Sequence, residues 1–134
     1  MLNLSHKKLD VYLIAQKLLK KIYQLTKQFP KEEQFALTNQ LRRAAISVCS
    51  NIAEGAARIS KREKARFYEI SRSSVVEIDT QIEISLALDY FVKDQIHELE
   101  QYLESVFRIL SKMISTLKPY QPLTTSPNDE NTLS

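Results

Sequence analysis

The chain carries few side chains whose chemistry goes beyond packing: His6, His97, Cys49 and a run of cations from Arg58 to Arg72. A metal site in a helical bundle draws a Glu from each of two helices and a Glu-x-x-His pair from each of the other two. The nearest approach here is Asp94-x-x-His97, present once. His97 therefore reads as an exposed helix residue, and His6 lies near an N-terminus expected to be disordered. Cys49 has no sequence-adjacent partner and falls in an apolar strip, where a thiol is buried and inert. A phosphate-cradling loop needs several glycines, and Gly55 is the only one in the chain. The sequence predicts a non-enzyme with no catalytic residues, no metal and no cofactor.

The cations carry more. Residues 1–75 hold fifteen Lys and Arg against six Asp and Glu, for +9, and residues 76–134 hold four against ten, for −6. Such charges can simply solvate helix faces. They can also build one basic surface that attracts phosphate backbones. The residues that would form it are Arg42, Arg43, Arg58, Lys61, Arg62, Lys64, Arg66 and Arg72. Of the nearby aromatics, Phe67 is expected to point inward, so base stacking is not expected and contacts should be directed at the backbone with weak sequence preference.

These side chains need elements to position them. At 134 residues, 43% hydrophobic and 26% charged, the chain has the length and composition of one globular domain. One cysteine excludes an internal disulfide framework and suits a reducing, cytoplasmic setting. The longest apolar run is five residues, Val11 to Ala15, far below the ~20 that span a bilayer. The first ten residues lack the apolar stretch of a signal peptide, so no membrane partner is expected.

Four helical segments follow from the periodicity. The first covers roughly residues 5–28, with Val11, Ala15, Leu18, Ile22, Leu25 and Phe29 as its seam. Pro30 breaks it, and a turn of helix is expected over 31–36. The second runs from about residue 38 to between 53 and 57. Leu41, Ala45, Val48 and Ile52 form its central face, with Phe35, Ile46, Cys49 and Ala53 as a second strip beside it. That apolar width predicts burial on two sides, centrally in the bundle or against another subunit. The third begins at a capping box, Ser60 with Glu63, and runs to about Tyr90 with Phe67, Ile70, Ser74, Ile78, Ile82 and Ser85 inward. The fourth spans about residues 93–117, lined by Ile96, Leu99, Leu103, Val106, Leu110, Met113 and Leu117. The fold class is all-α: an antiparallel up-down-up-down four-helix bundle over 1–118, followed by a disordered tail over 119–134.

"SVCSNIAEGAAR", residues 47–58, places the single glycine where the second helix must stop or be approached closely. Gly55 as the residue just past the helix end is the favoured reading; the alternative keeps it inside the helix, against another backbone. Gln40, Ser47, Asn51 and Arg58 follow one edge of this helix. An antiparallel return near residue 59 brings Glu77 level with Gln40 to Arg43. The structural reading is Arg42 or Arg43 paired with Glu77, and Asn51 hydrogen-bonded across helices. A ligand site is the alternative.

These residues also carry a resemblance. Gln40, Arg43, Ala44, Ser47, Asn51, Ile52, Ala53, Glu54 and Gly55, then Ser60, Glu63, Phe67, Ser74, Glu77 and Gln81, follow a family pattern. It resembles that of the four-helix bundle proteins called 23S ribosomal RNA intervening-sequence proteins, over about residues 8–117. Cys49 departs from it, standing where the family usually has proline, which should leave the second helix straighter. The resemblance implies a four-helix bundle and ring-like pentamers. It extends distantly to accessory proteins of diversity-generating retroelements, which bind a reverse transcriptase and nucleic acid.

Together these readings predict a non-catalytic homo-oligomer, with a pentamer favoured, that binds RNA or DNA or serves as an accessory protein through a basic surface. The competing expectation is a scaffold for an acidic or polymerase-like protein partner, without direct nucleic-acid contact.

Overall fold

The computed structural model describes residues 1–118. Four α-helices form it: α1 (Asp10–Thr26), α2 (Leu37–Ala57), α3 (Lys61–Ala87) and α4 (His97–Leu117). Short 3-10 turns over Ser5–Lys8, Lys31–Glu33 and Lys93–Ile96 precede α1, α2 and α4. Each helix packs on two neighbours, α1 on α2 and α4, and α3 on α2 and α4. This is the antiparallel four-helix bundle the periodicity predicts. The tail expected over 119–134 lies outside the described residues.

The seams of α1 and α2 follow the sequence pattern. Val11, Ala15, Leu18, Ile22, Leu25 and Phe29 are all buried, as are Leu41, Ala45, Val48 and Ile52. Ile96, at the end of the turn before α4, and Leu99, Leu103, Val106 and Leu110 within it hold the expected seam, and Ile114 takes the buried place in the last turn while Met113 and Leu117 are half-buried. The α3 seam differs. Tyr68, Ser71 and Val75 are buried, whereas Phe67 is half-buried and Ile70 is exposed. A long helix drifts against its partners because 3.6 residues per turn do not divide a heptad evenly. A seam set by Ile78 and Ile82 therefore rotates by about one residue toward the start of α3.

At one end, Phe29 packs on Tyr90 and Phe91 with ring centroids 5.1 and 5.5 Å apart. Glu33 ties the same end together: one carboxylate oxygen accepts from the Leu37 amide at 3.1 Å, and the other from the Tyr90 hydroxyl at 3.0 Å. The first satisfies an open donor of the α2 start. Chain reversal after α3 falls on Asp89, with φ of 59°, a left-handed position that Asp tolerates better than most residues.

At the other end only Arg58, Ile59 and Ser60 separate α2 from α3. Ser60 Oγ accepts from the Glu63 amide at 3.1 Å, as the N-cap signature predicts. Lys64 reaches back and donates to the carbonyls of Gly55 at 3.3 Å and Ala56 at 3.0 Å, where α2 ends. A cation on terminal helix carbonyls is favourable in charge and in hydrogen bonding.

Gly55 lies inside α2, buried, and without a positive φ. The favoured reading of it as the residue past the helix end is therefore corrected. A Cβ built there would stand 2.6 Å from Cε1 of Tyr68, which is itself buried. The glycine exists because the Tyr68 ring occupies the space a side chain would need. Gly55→Ala recovers about 1 kcal/mol of helix propensity but forces a packed ring to move, at a cost of about 1–3 kcal/mol. Thermal melting should show Gly55→Ala destabilised and Gly55→Val more so. The loss should shrink in a Tyr68→Leu background; an equal loss in both backgrounds would refute the contact.

Candidate nucleic-acid interface

The eight candidate cations divide by what they touch. Arg42 turns toward α1: its Nε donates to Thr26 Oγ1 at 2.9 Å, and its guanidinium lies 4.5 Å from the Tyr23 ring centroid. Arg72 turns toward α4, donating to Ser111 Oγ at 3.2 Å. Lys64 caps α2. Arg58 pairs with Glu54 at 3.1 Å and lies 4.6 Å over the Phe67 ring. These four are held within the bundle's own bonding.

Lys61, Arg62, Arg66 and Arg43 are exposed and, among the described residues, make no ion pair. Three of them cluster. Lys61, Arg62 and Arg66 line a surface depression of about 990 Å³ between the start of α3 and the end of α4, with Thr116 and Lys118 opposite. Lys118 itself pairs with Glu69 at 3.3 Å. The start of α3 adds the positive end of its peptide dipoles. Arg43 stands apart, in the groove between α2 and α3.

The polar motif residues form a seam along α2 and α3. Ser47 and Ser74 hydroxyls meet at 2.9 Å across the two helices, and the Gln81 amide donates to Gln40 Oε1 at 3.4 Å. Deeper in, Ser71 donates to the Val48 carbonyl at 2.8 Å. Two expectations are corrected. Asn51 bonds within its own helix, to the Ser47 carbonyl at 2.9 Å and its hydroxyl at 3.0 Å. Glu77 is exposed and, among the described residues, pairs with neither Arg42 nor Arg43. The register explains the second point. Gln81, rather than Glu77, comes opposite Gln40, and Arg42 is already held on the α1 side.

Phe35 is also relocated. It precedes α2 instead of extending its second apolar strip, and at 87% exposure it is an open aromatic at the head of the α2–α3 groove. The rest of that strip is only partly covered: Ile46 is 46% exposed, and Cys49 and Ala53 are half-buried. Phe67 is corrected with it, since its half-buried ring carries Arg58 rather than filling the core. His6 is buried edge-on against Tyr12, centroids 4.8 Å apart, instead of lying loose at the N-terminus. His97 is exposed. Among the described residues no three His, Cys, Asp or Glu side chains converge as a metal-holding group, and no helix is long and apolar enough to cross a membrane.

Residues 7–112 match the family model of the 23S rRNA-intervening sequence protein. No curated protein sequence matches the chain significantly. Among solved structures, the chain is similar to a protein of unknown function from the S23 ribosomal protein family of Bacteroides thetaiotaomicron. The two share 18% identity and a TM-score of 0.71 over 78% of this chain and 97% of that one. At that identity the likeness shows the fold alone.

Burial pushes the Cys49 thiol up to about 11. Only the thiolate reacts, and a raised pKa lowers its fraction at every pH below that value. Alkylation at pH 8 should therefore run about a hundredfold slower than for an unperturbed cysteine and climb as pH rises toward 11. A rate at pH 8 equal to that of a cysteine-containing peptide would contradict a sheltered thiol.

Proposed function

This chain belongs to the 23S rRNA-intervening sequence protein family, and on that premise we propose that it is a non-catalytic, oligomeric bundle that binds nucleic acid as an accessory protein. The observation that carries the reading is the exposed cluster of Lys61, Arg62 and Arg66 at the positive end of α3. Among the described residues none of these three cations is in an ion pair, although Glu63 and Glu69 line the same depression. Cations left without a protein counter-charge are available to phosphates, and each contact made releases condensed counterions. Ser60 and Lys64 fasten both helix ends that meet at the α2–α3 corner, which fixes the stretch of backbone from which the three cations project. A phosphate-directed surface of this kind reads charge spacing and tolerates many sequences. A cytoplasmic setting fits the single reduced cysteine.

Wild-type protein should bind a labelled structured RNA or duplex DNA at low salt, with log affinity falling by ~0.9 per duplex phosphate contacted for each log unit of salt. Lys61→Gln, Arg62→Gln and Arg66→Gln combined should weaken binding on all sequences alike and flatten that slope. Arg43→Gln, remote from the cluster, should change it little. No binding at low salt with the assembly intact would move the assignment to a scaffold for a protein partner.

Self-association is supported by the exposed Ile46 and its half-buried neighbours Cys49 and Ala53 on α2, apolar surface that a second subunit would cover. A pentamer is the assembly the family resemblance implies. Light scattering at about 10–50 µM, where a sub-micromolar interface is occupied, should report an oligomer that Ile46→Glu dissociates. A wild-type monomer at that concentration would refute the assembly.

A further inference from the structure

The seam between α3 and α4 is charge-polarised along its length. Its one end carries Lys61, Arg62 and Arg66. Its other end is a groove of about 630 Å³ whose rim holds Asp79 and Glu83 from α3 and Glu100 and Glu104 from α4, with Lys93 as the one cation lining it. Each helix thus presents two carboxylates at an i,i+4 spacing, a like-charge arrangement that weakens a helix slightly. Among the described residues none of the four is in an ion pair. The rest of the lining is apolar: Val75, Ile82, Ile96 and Leu103 are buried at the helix contact, and Val76 and Phe107, at 50% and 43% exposure, extend that surface toward solvent. Arg72 approaches Phe107 only to 5.9 Å and is bonded to Ser111.

We propose that this groove docks a basic amphipathic helix of a partner protein, its apolar ridge along the α3–α4 cleft lined by Ile82, Leu86, Leu103 and Phe107 and its Lys or Arg flanks on the two carboxylate rails.

The dimensions fit such an occupant. The α3 wall runs from Val75 to Leu86, which at 1.5 Å per residue is roughly 16 Å, the length of about three helical turns. Apolar anchors at i, i+3 or i+4, and i+7 fill a groove of this length. The charge selects the flanks, since four carboxylates outweigh Lys93 and the nearby Arg72, repelling nucleic acid and attracting cations. The chain's own segments are poorer occupants. Residues 119–134 contain Asp129 and Glu130 and no Lys or Arg. The cationic start of α3 offers no apolar ridge, because Ala65 is buried and Phe67 is covered by Arg58.

The test uses the full chain and a fluorescein-labelled 14-residue peptide with leucines at i, i+3, i+7 and i+10 and lysines on both flanks. The control is a shuffled peptide of equal composition. Anisotropy should show the patterned peptide binding at least tenfold tighter than the shuffled one, with amide shift changes confined to α3 residues 75–86 and α4 residues 96–107. Glu83→Gln with Glu104→Gln should weaken binding at least tenfold, and Phe107→Ser should do the same, while melting and oligomeric state remain those of wild type. Equal binding of both peptides, equal binding by the carboxylate variant, or shifts centred on the basic end would each overturn the proposal. So would a change of oligomeric state in the carboxylate variant, which would assign the groove to a second copy of this chain. The shift map on unaltered protein decides the site even if Phe107→Ser fails to fold.

Discussion

The close approach of α2 and α3 governs this molecule. Near their junction Gly55 gives up its side chain so that the Tyr68 ring can lie on the α2 backbone. One turn further along α3, Ser71 reaches the Val48 carbonyl, and beyond it the Ser47 and Ser74 hydroxyls touch. Small residues at successive levels set the distance between the helices, and the hydrogen bonds between them set the register. A slip of one turn would drive Tyr68 into a side chain and leave hydroxyls buried without partners, a penalty of about 1–3 kcal/mol for each such group.

Register at the seam decides what each cation does. Once Gly55 and Tyr68 are opposed, the link from α2 to α3 can be only Arg58, Ile59 and Ser60. Lys64 then falls within reach of the last α2 carbonyls, and Arg58 falls over Phe67. Arg42, on the far side of α2, meets the end of α1 and bonds Thr26. What remains unspent is the exposed cluster at the start of α3. Composition counts all these charges alike; packing separates the ones that fasten helices from the ones open to solvent.

The same helix pair explains the polarity of the outer surface. α3 begins in the basic half of the chain and ends in the acidic half, and antiparallel α4 brings its own acidic start beside the acidic end of α3. One seam therefore has a cationic end and an anionic end, a dipolar arrangement that follows from topology acting on a lopsided sequence. Such an arrangement attracts a polyanion at one end and repels it at the other.

Helix number, the α1 seam, the α4 seam as far as Leu110 and the Ser60 cap were legible in the sequence, because each depends on local periodicity or capping chemistry. The α3 seam was misjudged by about one residue, since drift over a 27-residue helix accumulates beyond what a local pattern records. Gly55 was ambiguous for a related reason. A glycine near a helix end serves a left-handed turn or a close contact equally well in sequence, and only the position of Tyr68, thirteen residues away, separates the two. The left-handed turn fell instead to Asp89. The pairing of Glu77 and the inward placement of Phe67 failed because both rested on register, which is fixed by volume and hydrogen bonds between helices. Sequence set the elements, their apolar faces and the total charge, all of which are properties of neighbouring residues. Tertiary structure alone decided which charges are consumed and which are free, because that depends on residues far apart in the chain meeting across a seam.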